Sequence, residues 1–168
     1  MKRTKRIASV LLALVRALSL ITTAFAAGDY SITVKNPNQN ISIDGKIYSA
    51  YKIFDATYDS SDHVAYTVDK DFAEFTYTVG DQSYSGEALI NYLSEQQDNS
   101  EAMDAFAKAA LKHIQEKDIQ ADGKATATSE QAVISLSAPG YYLVSGTAAA
   151  PENQTVTAAC ALTTAKPT

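Results

Sequence analysis

Two runs of aromatic and branched residues dominate the hydrophobic pattern, Tyr48-Ser49-Ala50-Tyr51-Lys52-Ile53-Phe54 and Tyr141-Tyr142-Leu143-Val144-Ser145. Residues of this kind suit buried β-strands. The second run follows Pro139-Gly140, in which proline presets one backbone angle and glycine accepts a positive one, a strong turn signal. A sandwich or barrel would bring the two runs together. Around them, Tyr30-Ser31-Ile32-Thr33-Val34-Lys35 and His63-Val64-Ala65-Tyr66-Thr67-Val68 alternate polar and apolar residues, as half-buried strands do. Ile41 to Lys46 reads as a short strand ending in an Asp44-Gly45 hairpin signal. Asp55 to Asp62 is polar and reads as a loop, and Phe72 to Val79 as a further strand.

The period changes at Ser85. Ala88, Leu89, Tyr92 and Leu93 recur at helical spacing. After a polar break at Gln96 to Asn99, Ser100 is placed to cap a second helix, with Glu101 in its first turn. Met103, Phe106, Ala110 and Ile114 form one apolar stripe along that helix, and Lys112, His113 and Lys117 lie toward its end, where cations suit the dipole. Ala121-Asp122-Gly123-Lys124 closes the insert, which spans about 85–120. Strands return at Ala132–Ser137, Tyr141–Ser145 and Thr155–Leu162. The expected fold is mainly β, an Ig-like antiparallel β-sandwich with a two-helix insert.

Composition changes the picture at the N-terminus. Lys2, Arg3, Lys5 and Arg6 form a basic head, Ile7 to Ala24 is mostly apolar apart from Arg16, and Ala24-Phe25-Ala26 is a small-x-small cleavage site. This is the layout of a secretory signal peptide over 1–26, cleaved after Ala26. The apolar run after Arg16 is short for a membrane span, so the mature form, 27–168, is expected not to span the membrane. Losing the five basic residues at 2, 3, 5, 6 and 16 takes the formal charge from −5 to −10. So acidic a chain excludes nucleic acid as a partner, because phosphate recognition needs clustered Lys and Arg.

Candidate chemistry is sparse. Cys160 is the only cysteine, which leaves no intrachain disulfide and no cysteine-based zinc site; in its apolar strand it reads as a small buried hydrophobe. His63 and His113 have no neighbouring ligand residue in the sequence, so no metal is expected. Asp55, Asp59 and Asp62 do not follow the spacing of a calcium loop. No nucleophile elbow, phosphate loop or dinucleotide fingerprint is present, and no carboxylate pair is singled out. The chain is read as non-enzymatic and without a cofactor. Asn40-Ile41-Ser42 and Asn153-Gln154-Thr155 match the glycosylation acceptor pattern. The ten tyrosines suit strand packing with wet hydroxyls.

The order of these features resembles the N-terminal domain of the backbone (major) pilin of sortase-assembled pili in Gram-positive bacteria. The residues that carry the resemblance are the leader, Ser31-Ile32-Thr33-Val34, then Gly45-Lys46-Ile47-Tyr48-Ser49-Ala50-Tyr51-Lys52-Ile53-Phe54, the helical insert, and Ala138-Pro139-Gly140-Tyr141-Tyr142-Leu143-Val144. The resemblance implies a structural subunit, or an N-terminal fragment of one, of a cell-wall fimbrium that supports cell adhesion. Its partners would be other pilin subunits and a sortase. In that family a lysine just after the N-terminal domain attacks the sorting signal of the next subunit, and by position Lys166 in Ala165-Lys166-Pro167 corresponds to it. The family also implies an internal Lys–Asn isopeptide bond, for which Lys35 stands where the first-strand lysine would be. The last strand offers no asparagine, and Ser145 stands where the assisting acid would be, so no such bond is expected here. The chain carries no LPxTG-type sorting signal, no C-terminal apolar span and no basic tail, which fits a first domain of a longer subunit, a truncated reading frame or a secreted relative. The competing reading is a secreted binding module or adhesin that recognises a host surface protein or a glycan through tyrosines or the insert.

Overall fold

In the computed structural model the described residues are 19–22, 30–36, 42–59, 63–97, 100–147 and 158–165. Strand β1 is Ser19–Thr22, β2 Tyr30–Lys35, β3 Ile47–Tyr58, β4 Val64–Val68, β5 Tyr77–Val79 and β6 Gln82–Tyr84. Helices α1, Gly86–Ser94, and α2, Glu101–Glu116, follow, and then β7 Gly123–Thr126, β8 Gln131–Leu136, β9 Gly140–Thr147 and β10 Ala158–Ala165.

The two motif runs are neighbours. β3 and β9 pair antiparallel in the middle of the main sheet, with Tyr51 opposite Leu143. That sheet runs β10-β9-β3-β4, with β7 also on β3. A three-stranded sheet, β1-β2-β8, faces it. Between the two lies one core, with Ile32 and Val34 from β2, Ile134 and Leu136 from β8, and Tyr48, Ala50, Tyr142 and Val144 from the main sheet. On the other face α1 and α2 cover Ile53, Phe54, Tyr141, Leu143 and Leu162. The fold is therefore a mainly β antiparallel sandwich with a two-helix insert on its outer face. This explains why Tyr141-Tyr142-Leu143-Val144 is apolar without interruption. The main sheet is covered on both sides, so successive residues, which point to opposite faces, are all buried.

β3 organises the connection to the insert. β7 pairs with its first residues, Ile47 to Ala50, and β4 with its last, Phe54 to Tyr58. Both lie along the same edge. Everything between β4 and β7 therefore leaves and re-enters at one gap. The amide of Asp69 donates to the carbonyl of Ile53 at 3.0 Å where the chain leaves, and the amide of Asp122 to that of Ala50 at 2.9 Å where it returns.

The helices follow their sequence signals. The hydroxyl of Ser100 accepts from the amide of Met103 at 3.3 Å and caps α2, whose Met103, Phe106, Ala110 and Ile114 are all buried. In α1, Leu89 and Leu93 are buried and Tyr92 is half-buried, but Ala88 faces solvent.

Several boundaries differ from the sequence reading. Among described residues, Ser42 to Lys46 is a turn rather than a strand: Gly45 takes φ +72° and Lys46 donates back to the carbonyl of Ile43 at 2.9 Å. Asp55 to Tyr58 is strand rather than loop, because β4 supplies a ladder partner for every one of these residues. Phe72 to Val79 is not one strand. Asp69 caps a 3-10 turn at Lys70–Phe72, Phe72 and Phe75 pack edge-to-face at 5.5 Å, and extended chain begins only at Tyr77. Gly123, in the stretch expected to close the insert, also opens a strand, since β3 offers it an edge. The last strand runs Ala158–Ala165, three residues beyond the expected end at Leu162. Residues 155–157 lie outside the described residues, as do Ala26 and both glycosylation-pattern asparagines. β1 falls within the stretch expected to be leader and pairs with β2.

Candidate functional site

Lys52 and the carboxylates of Asp55, Asp69 and Asp122 converge at the stem of the insert. Lys52 sits in β3 between the leaving and returning strands. Its ammonium lies 2.6 Å from Oδ1 of Asp55 and 3.3 Å from Oδ2 of Asp69, and its backbone amide donates to Oδ2 of Asp122 at 2.7 Å. The side chains of Lys52 and Asp69 are 15% and 8% exposed, whereas that of Asp55 is 45% exposed. Asp69 also accepts from the amide of Asp71 at 3.0 Å. Burial pulls the Lys52 amine down, but hydrogen bonds and charge from Asp55 and Asp69 outweigh it, and the group titrates above the ordinary lysine value. An amine held charged is not a nucleophile at neutral pH. This constellation ties three segments together.

The same end of the sheet anchors the last strand. β10 pairs with β9 from Ala158↔Thr147 to Ala165↔Gly140, and Gly140 in turn pairs with Asp55. Gly140 is held close to β3: a methyl group there would stand 2.7 Å from the carbonyl oxygen of Phe54 and 2.9 Å from Cδ of Lys52. Thr164 shares a 3.0 Å hydrogen bond with the hydroxyl of Tyr66, whose ring meets Phe54 and Tyr141 at 6.4 and 6.2 Å. The hydroxyl of Tyr142 donates to the carbonyl of Ala138 at 2.9 Å. Burial first, and the carboxylates of Asp122, Asp55 and Asp69 after it, push that phenol well above its ordinary value. Ala165 is fully buried.

Lys166 itself lies outside the described residues, one position past Ala165. Lys35 is exposed at the end of β2, opposite Gln131 of β8. Cys160 lies in β10 opposite Ser145. The acidic loop residues separate: Asp55 belongs to the Lys52 group, and Asp59 accepts from His63 through a 2.8 Å contact to Nδ1. His113 packs its ring on Phe72 and Phe75 at 5.1 and 4.9 Å. Among the described residues no group of three or more His, Cys, Asp or Glu is placed to hold a metal ion, and no helix is long and apolar enough to cross a membrane.

Sequence reasoning missed the Lys52 group. A signal was present: Lys52 is the one charged residue inside an otherwise uncharged strand run, and a charge in that setting needs partners. Its partners, Asp69 and Asp122, are local in space only because the whole insert closes between them.

Comparison with protein-family models, curated proteins and solved structures finds no match to this chain.

Proposed function

We propose that the chain is a structural subunit, or the N-terminal part of one, of a sortase-assembled cell-surface pilus. In this reading it is secreted, is not an enzyme, and serves adhesion as part of a fimbrium on the cell wall. Its partners are further pilin subunits and the sortase that joins them. The observation that carries the reading is the arrangement of its motif runs. β3 and β9, which hold both runs, are ladder neighbours, and β10 continues beside them to Ala165, directly before the proposed acceptor Lys166. A strand paired to its last described residue gives an enzyme a rigid platform from which an acceptor lysine can be presented. The deciding experiment is a sortase reaction on the purified chain with a sorting-signal peptide, read by tandem mass spectrometry. The expected product is branched at Lys166 and absent in Lys166→Ala; an active sortase that yields no branched product refutes the reading.

One observation favours a second reading, a binding module for a glycan. Tyr84 and Tyr92 are half-buried and stack at 4.3 Å on the insert, and the hydroxyl of Tyr84 donates to Oε1 of Gln82 at 2.6 Å. Aromatic faces of this kind suit sugar rings. Glycan binding lost in Tyr92→Ala, with no branching at Lys166, would replace the first reading by the second.

A further inference from the structure

The three-stranded sheet is completed by a segment that the leader reading removes. β1 lies within residues 1–26 and forms the outer edge of the order β1-β2-β8. It pairs with four of the six residues of β2, from Ser19↔Lys35 to Thr22↔Ile32. Cleavage after Ala26 would take β1 away and leave β2 and β8 as a two-stranded ribbon whose outer ladder has lost its partner.

β2 is poorly built to remain an edge. Its sequence is Tyr-Ser-Ile-Thr-Val-Lys, with no proline, no glycine and one charge at its end. Ile32, Thr33 and Val34 are β-branched, the residues best suited to the interior of a sheet. In the full chain Ser31 and Thr33 are 3% and 5% exposed, and Ile32 and Val34 are fully buried, so no side chain of β2 short of Lys35 is of the exposed, charged kind that protects an open edge. Edges that natural proteins leave open are normally short, charged or interrupted.

We propose that, once the leader is removed, a second copy of the chain closes this edge by pairing its own β2 antiparallel to the first. The proposal rests on the leader reading given above. A strand paired with itself is an isologous contact and closes as a two-fold dimer. The register follows from the pleat. Opposite residues must share a face, so the two-fold passes through a residue and not between two, and only Thr33 pairs all four residues that β1 vacates within the strand, with Ile32 opposite Val34 of the second copy and Ser31 opposite its Lys35. Ile32 and Val34 then stay on the core face in both copies, and the lysines stand opposite serines and not opposite each other. Two ribbons become one four-stranded sheet, β8-β2-β2-β8, which is past the size at which a ribbon is marginal.

The test starts from the full chain in micelles, cut with signal peptidase, and N-terminal sequencing reads the cut. The released product is examined by sedimentation velocity over a dilution series and by amide hydrogen exchange. The expected result is a two-copy mass, slow exchange over Ser31–Lys35, and conversion to one-copy mass with rapid exchange there on dilution. A synthetic peptide of residues 17–24, which restores the β1 partner in trans, is expected to compete with the dimer. A one-copy product with rapid exchange over Ser31–Lys35 and slow exchange over β9 overturns the proposal. So does a dimer whose β2 amides exchange rapidly, and so does loss of protection in β9, which would make β1 an integral part of the core. An uncut chain refutes the leader reading instead, and sequencing separates that outcome from the others.

Discussion

The ammonium of Lys52 lies 2.6 Å from Oδ1 of Asp55, three positions along the same strand. In a regular strand such residues point to opposite faces. Here the register of β3 against β9 shifts between Lys52 and Phe54, so that Lys52 pairs with Tyr142 and Phe54 with Tyr141. Ile53 and Phe54 both enter the core under the helices, and the alternation restarts one residue late. The irregularity thus brings Lys52 and Asp55 to one side. It sits at the gap where the insert leaves β3, and Asp69 reaches the same ammonium from the start of that insert.

The two carboxylates should therefore be unequal. Asp69 is almost fully buried, partners Lys52 and caps the turn at Lys70–Phe72, so Asp69→Ala is expected to cost about 2 kcal/mol, most of it from leaving Lys52 half-compensated and the cap unmade. Asp55 is nearly half exposed, and Asp55→Ala should cost about 0.5 kcal/mol. Urea denaturation of the two variants reads the difference; equal midpoints would mean that the ion pairs do not hold the stem.

Alkaline pH should unfold the protein. Lys52 titrates above its ordinary 10.5, and Tyr142, Tyr66, Tyr77 and Tyr48 above 10.0, the tyrosines because burial disfavours the phenolate. A folded value above the unfolded one stabilises fully below the unfolded value and is lost as pH rises through the folded value. Stability is thus expected to be flat from these groups up to about pH 10 and to fall steeply beyond it. Thermal melts from neutral pH upward check this, and Lys52→Met should soften the fall without abolishing it, since the phenols remain.

How much of this was legible in the sequence varied with the range of the interaction. Helix α2 was readable because its signals are local: a serine cap and an apolar stripe at one spacing. The pairing of the two motif runs could be anticipated because both are rich in aromatic and branched residues suited to buried strands, and a sandwich brings such strands together. Strand limits were not legible where a polar segment borrowed a partner, as Asp55 to Tyr58 do from β4 and Gly123 to Thr126 from β3. Phe72 and Phe75 look strand-like by composition, yet ring packing against each other and His113 bends the chain there. Lys52 signalled its need of partners, but two of its acids, Asp69 and Asp122, could not be assigned because they come from the two ends of an insert.

The two helix caps offer a control for one another. Ser100 accepts from the amide of Met103, whereas Ser85, at the same position before α1, makes no side-chain cap. Ser100→Ala is expected to cost about 1 kcal/mol and Ser85→Ala only a few tenths, as helix capping is worth that much only when the bond is made. Chemical denaturation of the pair reads this directly, and a larger loss at Ser85 would reverse the assignment.

Tyr66 and Tyr58 sit in neighbouring strands and carry opposite hydrogen-bond accounts. The hydroxyl of Tyr66 is bonded to Thr164 and so ties the end of β10 to β4. That of Tyr58 is buried without a hydrogen-bond partner among the described residues, and its burial drives the phenol far above its ordinary value. Removing an oxygen that has a partner loses the bond and strands the other group; removing one that has none relieves a desolvation cost. Tyr66→Phe is therefore expected to destabilise by about 1 kcal/mol, and Tyr58→Phe to be neutral or stabilising by up to about 1 kcal/mol. Only Tyr66→Phe should also speed amide exchange at Thr163–Ala165, the residues that lead into Lys166. If both variants behave alike, in stability and in exchange, the hydroxyl of Tyr66 does not anchor the end of the last strand.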